Sequence, residues 1–290
     1  SKRMAEEEKL KEAKHVRQAV ESEEGSGEKK KAVTRAIIKV GGTEALRNIC
    51  KDRDKSVKLK SMVAAIIANM LDGFDEAKVV MGRAAGGAAL TGLIKANVEG
   101  YKYVNENAAK AIVKIIDENP VNTVSLLTDG GIEELIDIIG SNKDTAKAKE
   151  WAARALWLAS YSYGDEISGE EKIKKANGAT VLVDMIRYAS TEEGKKYSIA
   201  ALGNIANKCA VGANGSRALP LLMNVLKNNT EYSIATRTHA ARAVINIGRK
   251  DGEVKSSVKG EYKTIVEEAN KEAKHVGGDF QKQVRGLYFY

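Results

Sequence analysis

Amide, cationic and aromatic side chains recur at matched positions in this sequence, and together they could bind an extended polypeptide. Amides hydrogen-bond to a peptide backbone, cations attract carboxylates, and aromatic rings cover apolar side chains. These residues occupy positions 0, −4 and −7 relative to a reference residue in each of five segments, and such positions share one face of an α-helix. We predict that they line a partner-binding groove formed by Asn69, Asn107, Lys110, Lys114, Trp151, Arg154, Tyr197, Asn204, His239, Arg242 and Asn246.

The helices that carry these side chains belong to a repeat. Ile199–Asn207 (IAALGNIAN) and Ala240–Gly248 (AARAVINIG) are near-copies displaced by 42 residues. The same frame recurs upstream and gives steps of 45, 44, 46 and 42 residues between the reference positions Asn69, Lys114, Leu158, Asn204 and Asn246. A period of this length is typical of helical repeat proteins, in which each repeat buries its apolar face against its neighbours.

A glycine turn interrupts each repeat between two short helices. Glycine in this place indicates a positive φ angle, which ends one helix and starts the next at a sharp angle. The turns contain Gly41 and Gly42, Gly86 and Gly87, Gly130 and Gly131, Gly178, Gly215 and, more weakly, Gly260. After Gly260, Thr264 and Glu267 stand where the other repeats have apolar residues, so this last segment is predicted to be a cap.

These boundaries predict five repeats at about 31–74, 75–119, 120–164, 165–209 and 210–250. Residues 1–30 are predicted to form an N-terminal capping helix and linker, residues 251–276 a degenerate C-terminal cap, and residues 277–290 an aromatic tail outside the period. Consecutive aromatic side chains are costly to expose to water, so the tail must either fold back or dock on a partner. We favour docking, through Phe280, Tyr288, Phe289 and Tyr290.

The repeat resembles the armadillo family over about residues 32–250. The resemblance is carried by the glycine turn inside the repeat and by the segments GDEISGEEKIKKANGATVLVDMI, YSIAALGNIAN, DGGIEELIDII and AARALWLAS. It implies an all-α fold: a right-handed superhelical solenoid of three-helix repeats whose third helices line a concave groove. Most armadillo proteins are adaptors, carriers or scaffolds that hold extended peptides, so the resemblance implies a protein partner.

The side chains of the predicted groove also indicate the charge of the partner segment. In importin-α the −4 position carries tryptophans that hold the lysines of a basic signal. Here this position reads Ala65, Lys110, Arg154, Ala200 and Arg242, and the cations would repel a basic segment. The groove is closer to that of β-catenin, whose lysines and arginines receive acidic segments. It implies an acidic partner segment; the alternative is that the cations only solvate an exposed helix face.

Composition limits the remaining classes of function. The chain has 290 residues and a net charge of +8, with acidic and basic residues interleaved. This pattern supports solubility first and an acidic partner second, and we expect no nucleic-acid binding. No apolar run is long enough to span a membrane, and no signal-peptide core is present. We expect an intracellular, cytoplasmic protein; the alternative is the interior of a plastid or mitochondrion after removal of a targeting segment.

The sequence contains no catalytic or metal-binding motif. Cys50 and Cys209 have neither metal-ligand nor disulfide-framework spacing, and no phosphate loop, carboxylate pair or activated nucleophile stands out. We therefore expect a non-enzymatic adaptor or scaffold, without cofactor or metal ion, that grips an extended acidic segment. The alternative is a structural subunit, peripheral or linking, of a large assembly that docks through its faces and tails.

Overall fold

The structure is a computed structural model, and it describes residues 2–21, 27–52, 55–72, 74–81, 90–92, 103–163 and 167–288. The described residues are mostly helical and divide into two compact units, Ser1–Leu158 and Ala159–Tyr290. The predicted all-α class is confirmed. The predicted turn at Gly86 and Gly87 lies outside the described residues. No helix within the described ranges combines the length and the apolar character needed to cross a membrane.

The first unit consists of helices that follow one another in the sequence and pack side by side. These helices are α1 Lys2–Glu21, α2 Gly27–Lys39, α3 Gly42–Lys51, α4 Val57–Met70, α5 Val104–Ile116, α6 Pro120–Thr128, α7 Gly131–Gly140 and α8 Ala146–Ala159, which ends one residue after the unit does. Residues 75–81 and 90–92 are helical as well. Helix α4 packs on both α1 and α5.

The second unit begins with a short ribbon and continues as helices. Strands β1 Ser162–Tyr163 and β2 Ile167–Ser168 pair antiparallel, with Ser162 opposite Ser168. The helices are α9 Gly169–Lys175, α10 Gly178–Tyr188, α11 Glu192–Lys208, α12 Ala213–Lys227, α13 Ile234–Lys250, α14 Gly252–Lys259, α15 Lys263–Val276 and α16 Gly278–Tyr288. Helix α13 packs on both α11 and α16.

Helices α4, α5, α8, α11 and α13 carry the five reference positions, and we call them the third helices. The residues two and three positions before each reference are at most 1% exposed: Ile66, Ile67, Ala111, Ile112, Ala155, Leu156, Ala201, Leu202, Ala243 and Val244. These two columns therefore point into the stack. Small and branched side chains let successive helices approach closely and lose their apolar surface to water.

A hydroxyl group starts four of the third helices. The side chains of Ser56, Thr191 and Ser233 each accept a hydrogen bond from the backbone N–H three residues later, at the beginning of α4, α11 and α13. Thr145 does the same at α8, accepting from the Ala148 N–H at 2.9 Å. Each cap satisfies a backbone donor that the helix itself leaves unpaired, and it fixes where the helix begins.

The glycine turns agree with the prediction in part. Gly41 and Gly130 have φ angles of 72° and 77°, as the turn requires, and in the fourth repeat Asn177 takes this role with φ 60°. Gly215 was predicted to be a turn residue but lies inside α12, because the chain turns three residues earlier at Gly212, where φ is 55°. Gly260 was predicted to have a positive φ angle and has φ −95° instead.

Candidate functional site

Within each third helix the predicted groove residues lie on one side, because positions 0, −4 and −7 share a face of an α-helix; we call this side the third-helix face. In the first unit its two amides are used within the stack. Asn69 Nδ2 donates to Glu21 Oε1 of α1 at 3.0 Å, and Asn107 Nδ2 donates to Ser61 Oγ of α4 at 3.4 Å. Each amide therefore ties a third helix to the helix stacked before it.

Two cations of this face are paired with acids that the sequence analysis did not include. Lys114 Nζ lies 2.5 Å from Asp72 Oδ1, and Arg154 Nη2 lies 3.7 Å from Asp117 Oδ2. Asp72 and Asp117 each stand three residues after a reference position, at the +3 position, and lie just beyond the C-terminal ends of α4 and α5. The hydrogen bond from Lys114 holds the pKa of Asp72 below its usual value, against the opposing effect of partial burial. The acidic partner expected for these cations is thus partly supplied by the chain itself.

The aromatic residues of the face also have cationic neighbours. Lys147 Nζ and the Arg154 guanidinium each lie 5.7 Å from the centre of the Trp151 ring. Lys196 Nζ lies 4.8 Å from the centre of the Tyr197 ring. Cations over aromatic rings are attracted by the electron-rich ring face. Trp151, Tyr197 and Lys110 are half-buried.

Asn204 and Asn246 join consecutive elements of the second unit. Asn204 Nδ2 donates to Ser160 Oγ at 2.9 Å, and Asn246 Nδ2 donates to the Gly203 carbonyl oxygen at 2.8 Å. Their side chains are buried, at 9% and 6% exposure. One of the two amide protons of each is thereby committed to the fold. Asn246 Oδ1 also accepts a hydrogen bond from Arg249 Nη1 at 3.4 Å.

His239 and Arg242 are in contact on the third-helix face of α13. Arg242 Nη2 lies 3.3 Å from His239 Nδ1. Burial, and then the charges of Arg242 and Lys196, lower the pKa of His239 to about 4. The imidazole is therefore neutral at pH 7, and Nδ1 can accept a hydrogen bond from the guanidinium.

A pocket of about 710 Å³ opens on this face of the second unit. Its lining combines cations, amides and one tyrosine: Tyr161, Asn204, Asn207, Arg242, Ile245, Asn246, Arg249, Lys255, Lys282, Gln283 and Gly286. None of these lining residues is Asp or Glu. Of the predicted groove residues, the pocket brings together Asn204, Arg242 and Asn246.

Several lining residues were missed by the sequence analysis although a signal for them exists. Tyr161, Asn207 and Arg249 stand at the +3 position of their repeats. Asn207 and Arg249 lie about one helical turn after position 0 on the same helix face, whereas Tyr161 lies just beyond the end of α8. The first unit has Asp72 and Asp117 at this position, so the +3 column changes from acidic to neutral and then basic along the sequence. Lys282 and Gln283 were missed because α16 was predicted to be a tail outside the period.

Helix α16 takes the place of a third helix. A Cβ atom on Gly203, at the −1 position, would lie 3.2 Å from Ala243 Cβ, at the −3 position of the next repeat. Likewise a Cβ atom on Gly286 would lie 2.7 Å from Ile245 Cδ1, and Ile245 is again a −1 residue. Gly286 is then a −3 residue, and the next reference position is 289, which gives a step of 289 − 246 = 43 residues. Residues 277–290, predicted to leave the period, thus extend the stack as far as they are described.

Phe280 corrects the predicted docking tail. It is 1% exposed and packs in the core of the second unit with Val284 and Leu287 of the same helix. The Arg237 guanidinium lies 4.8 Å from the centre of its ring. The hydrophobic face of α16 folds back on the chain because burial removes these side chains from water, so Phe280 is not available to a partner. The Tyr288 side chain, Phe289 and Tyr290 lie outside what the structure describes.

The described residues contain no cluster of three or more His, Cys, Asp or Glu side chains that could hold a metal ion. Cys50 is buried, and burial raises the pKa of its thiol to about 12, against a smaller opposite effect of Lys60. A thiol with such a pKa is not a nucleophile at neutral pH.

Comparison with solved structures places this arrangement in a known fold. A crystal structure of an engineered protein is similar over 96% of this chain and 67% of its own length, with a TM-score of 0.71 and 21% sequence identity. A crystal structure of computationally designed armadillo repeat proteins for modular peptide recognition is similar over 85% of this chain and 98% of its own, with a TM-score of 0.66 and 20% identity. The chain has an armadillo-type fold.

A third similar structure is that of a designed armadillo repeat protein in complex with the peptide (KR)4. It matches 80% of this chain and 98% of its own, with a TM-score of 0.58 and 19% identity. No protein-family model and no curated protein matches the sequence. These structural similarities confirm the predicted armadillo-type α-solenoid class. Sequence identities of this size support a shared fold and do not by themselves indicate a shared function.

Proposed function

We propose that this protein is a non-enzymatic scaffold that binds an extended, acidic segment of a partner protein on the third-helix face of its second unit. The observation that carries the proposal is the cationic pocket, where Arg242, Arg249, Lys255 and Lys282 meet without an Asp or Glu among the lining residues that are described. Carboxylates of the segment bind these cations. Asn207 and Gln283 offer amide groups to its backbone.

The first unit is the weaker place for an acidic segment. Lys114 and Arg154 already face Asp72 and Asp117, so an incoming carboxylate must displace an acid of the chain. A second groove in this unit, between α1, α4 and α5, is lined by Lys14, Arg17 and Lys58 but also by Glu21 and Glu106. Mixed charges favour neither sign of partner, so affinity for acidic segments concentrates in the second unit.

The structurally similar proteins support an extended polypeptide as the kind of ligand. One is described as designed for modular peptide recognition, and another is in complex with (KR)4. That peptide is basic, whereas the pocket of this chain is lined by cations and calls for a peptide of opposite charge. The ligand of this chain is therefore an extended peptide, as in those proteins, but one of opposite charge.

Three flexible peptides of equal length test the proposal: glycine–serine peptides with regularly spaced Glu, Gln or Lys. We expect the Glu peptide to bind, with an affinity that falls as salt is added, and the Lys peptide not to bind. The double substitution Arg249→Glu and Lys282→Glu should abolish binding. The matched control, Lys227→Glu and Lys259→Glu, changes two exposed cations of the same unit that do not line the pocket and should leave it unchanged. Equal binding of all three peptides would refute the proposal.

A further inference from the structure

The cationic pocket holds more positive charge than a single carboxylate can balance. Arg242 and Arg249 come from α13 and Lys282 from α16, and these three side chains bring three formal positive charges to the lining. Arg249, Lys255 and Lys282 are exposed at its rim, and Arg242 is half-buried. One carboxylate would neutralise one of these charges.

The donors of the pocket also exceed its acceptors. Each arginine presents five N–H groups and each lysine three, and none of these side chains is an acceptor. Arg242 Nη2 already contacts His239 Nδ1, and Arg249 Nη1 donates to Asn246 Oδ1 at 3.4 Å. Each guanidinium group has five N–H donors, so these contacts do not use all of them.

A phosphoryl group matches the charge and the hydrogen-bond donors of the pocket better than a carboxylate does. It carries about −1.5 to −2 charges at neutral pH and three strong acceptor oxygens. Guanidinium groups bind it through two parallel hydrogen bonds, and lysines add charge at the rim. A pocket of about 710 Å³ has room for a phosphorylated side chain together with the backbone around it.

We infer that this pocket binds a phosphorylated Ser, Thr or Tyr side chain within the extended partner segment. The inference rests on the proposed function and names the group that the pocket selects. A peptide is the source of the phosphoryl group because the pocket lies on the third-helix face between amide side chains, Asn204, Asn207 and Gln283. Binding to a membrane surface would need exposed apolar side chains around the pocket. Among the described residues that line the pocket, Tyr161 is the one large hydrophobic side chain that is exposed, so a membrane is the less suitable ligand.

The test uses one flexible acidic peptide in three forms that differ at a central position: phosphoserine, Glu or Ser. Isothermal titration with the full chain should give an affinity for the phosphoserine form about tenfold above that for the Glu form, because the extra charge and oxygen engage further cations. Inorganic phosphate should compete with the phosphoserine form. The substitutions Arg249→Gln and Lys282→Gln, both at exposed residues, should reduce the ratio of the two affinities to about one.

The matched control is Lys227→Gln with Lys259→Gln, which removes the same charge outside the pocket and should preserve the tenfold ratio. If the Glu form binds and the phosphoserine form binds no more tightly, the inference is overturned while the proposed function stands. If neither form binds, both are overturned. Two further probes are measured separately: vesicles that contain a phosphoinositide, and a single-stranded oligonucleotide. If either probe binds more tightly than the phosphopeptide, the assignment to a peptide is overturned.

Discussion

The guanidinium of Arg237 and the carboxylate of Glu272 are joined by two parallel hydrogen bonds, each 2.6 Å long. Arg237 is 2% exposed, and its Nε also donates to the Leu226 carbonyl oxygen at 3.0 Å. Its guanidinium lies over the ring of Phe280. A single buried charge therefore connects α12, α13, α15 and α16, and it anchors the helix that forms one wall of the cationic pocket.

We predict that Arg237→Met destabilises the protein by about 3 kcal/mol, because it leaves the Glu272 carboxylate without its partner. The double variant Arg237→Met with Glu272→Met should recover a large part of this loss, since neither charge then remains. Denaturant unfolding followed by circular dichroism measures both. Arg217→Met is the matched control: Arg217 also forms a 2.6 Å ion pair, with Asp184, but the two side chains are 42% and 46% exposed. Its loss should stay below about 1 kcal/mol, and an equal loss in both variants would contradict the role of the buried pair.

His239 predicts a defined dependence of stability on pH. Its pKa is lowered from 6.5 to about 4 in the folded protein, so between these values the unfolded chain binds a proton that the folded chain does not. The free energy of unfolding should therefore fall as the pH drops from 6.5 to 4, by on the order of 3 kcal/mol. Glu272 contributes at lower pH, because its hydrogen bond with Arg237 holds its pKa below 4.5.

Unfolding curves of His239→Gln across this pH range check the assignment. Glutamine does not titrate, so the slope between pH 6.5 and 4 should become shallower than in the parent protein. His275→Gln, at an exposed position of α15, is the matched control. An unchanged slope in His239→Gln would show that other groups carry the acid sensitivity.

The substitution Phe280→Ala tests whether Phe280 stabilises the core or docks on a partner. Because Phe280 is 1% exposed among the core residues of the second unit, truncation should cost about 3–5 kcal/mol of stability. The measurement is again denaturant unfolding. A variant of unchanged stability that binds its partner less tightly would instead support the docking role predicted from the sequence.

Removing the acidic partners of the first-unit cations should strengthen binding of an acidic peptide. Asp72→Asn with Asp117→Asn should release Lys114 and Arg154 from their ion pairs and strengthen binding of the Glu peptide several-fold, since the competing charges of the chain are gone. Titration of that peptide measures the change. Asp75→Asn with Asp137→Asn removes two exposed acids that lie away from the third-helix face and should have no comparable effect; equal gains would indicate a general effect of net charge.

The fold was largely readable from the sequence, because its period recurs in matched columns of small and branched residues. Helix α16 was not recognised because it keeps only the −3 and −2 columns, as Gly286 and Leu287, and has Lys282 and Gln283 one turn earlier at −7 and −6. The ion pair between Lys114 and Asp72 joins residues 42 positions apart, which no pattern within one helix reveals. Arg237 is a charged residue in the core, and its burial depends on Glu272 in a helix that the repeat pattern did not define.

One wall of the cationic pocket comes from α16, through Lys282, Gln283 and Gly286. This helix is joined to α15 by Gly277 and Gly278, which have φ angles of 74° and 60°. A protease cut at this joint would end the covalent link between α16 and the preceding chain, while Arg242 and Arg249 stay on α13. The position of Lys282 in the pocket would then depend on the buried side chains Phe280, Val284 and Leu287 alone.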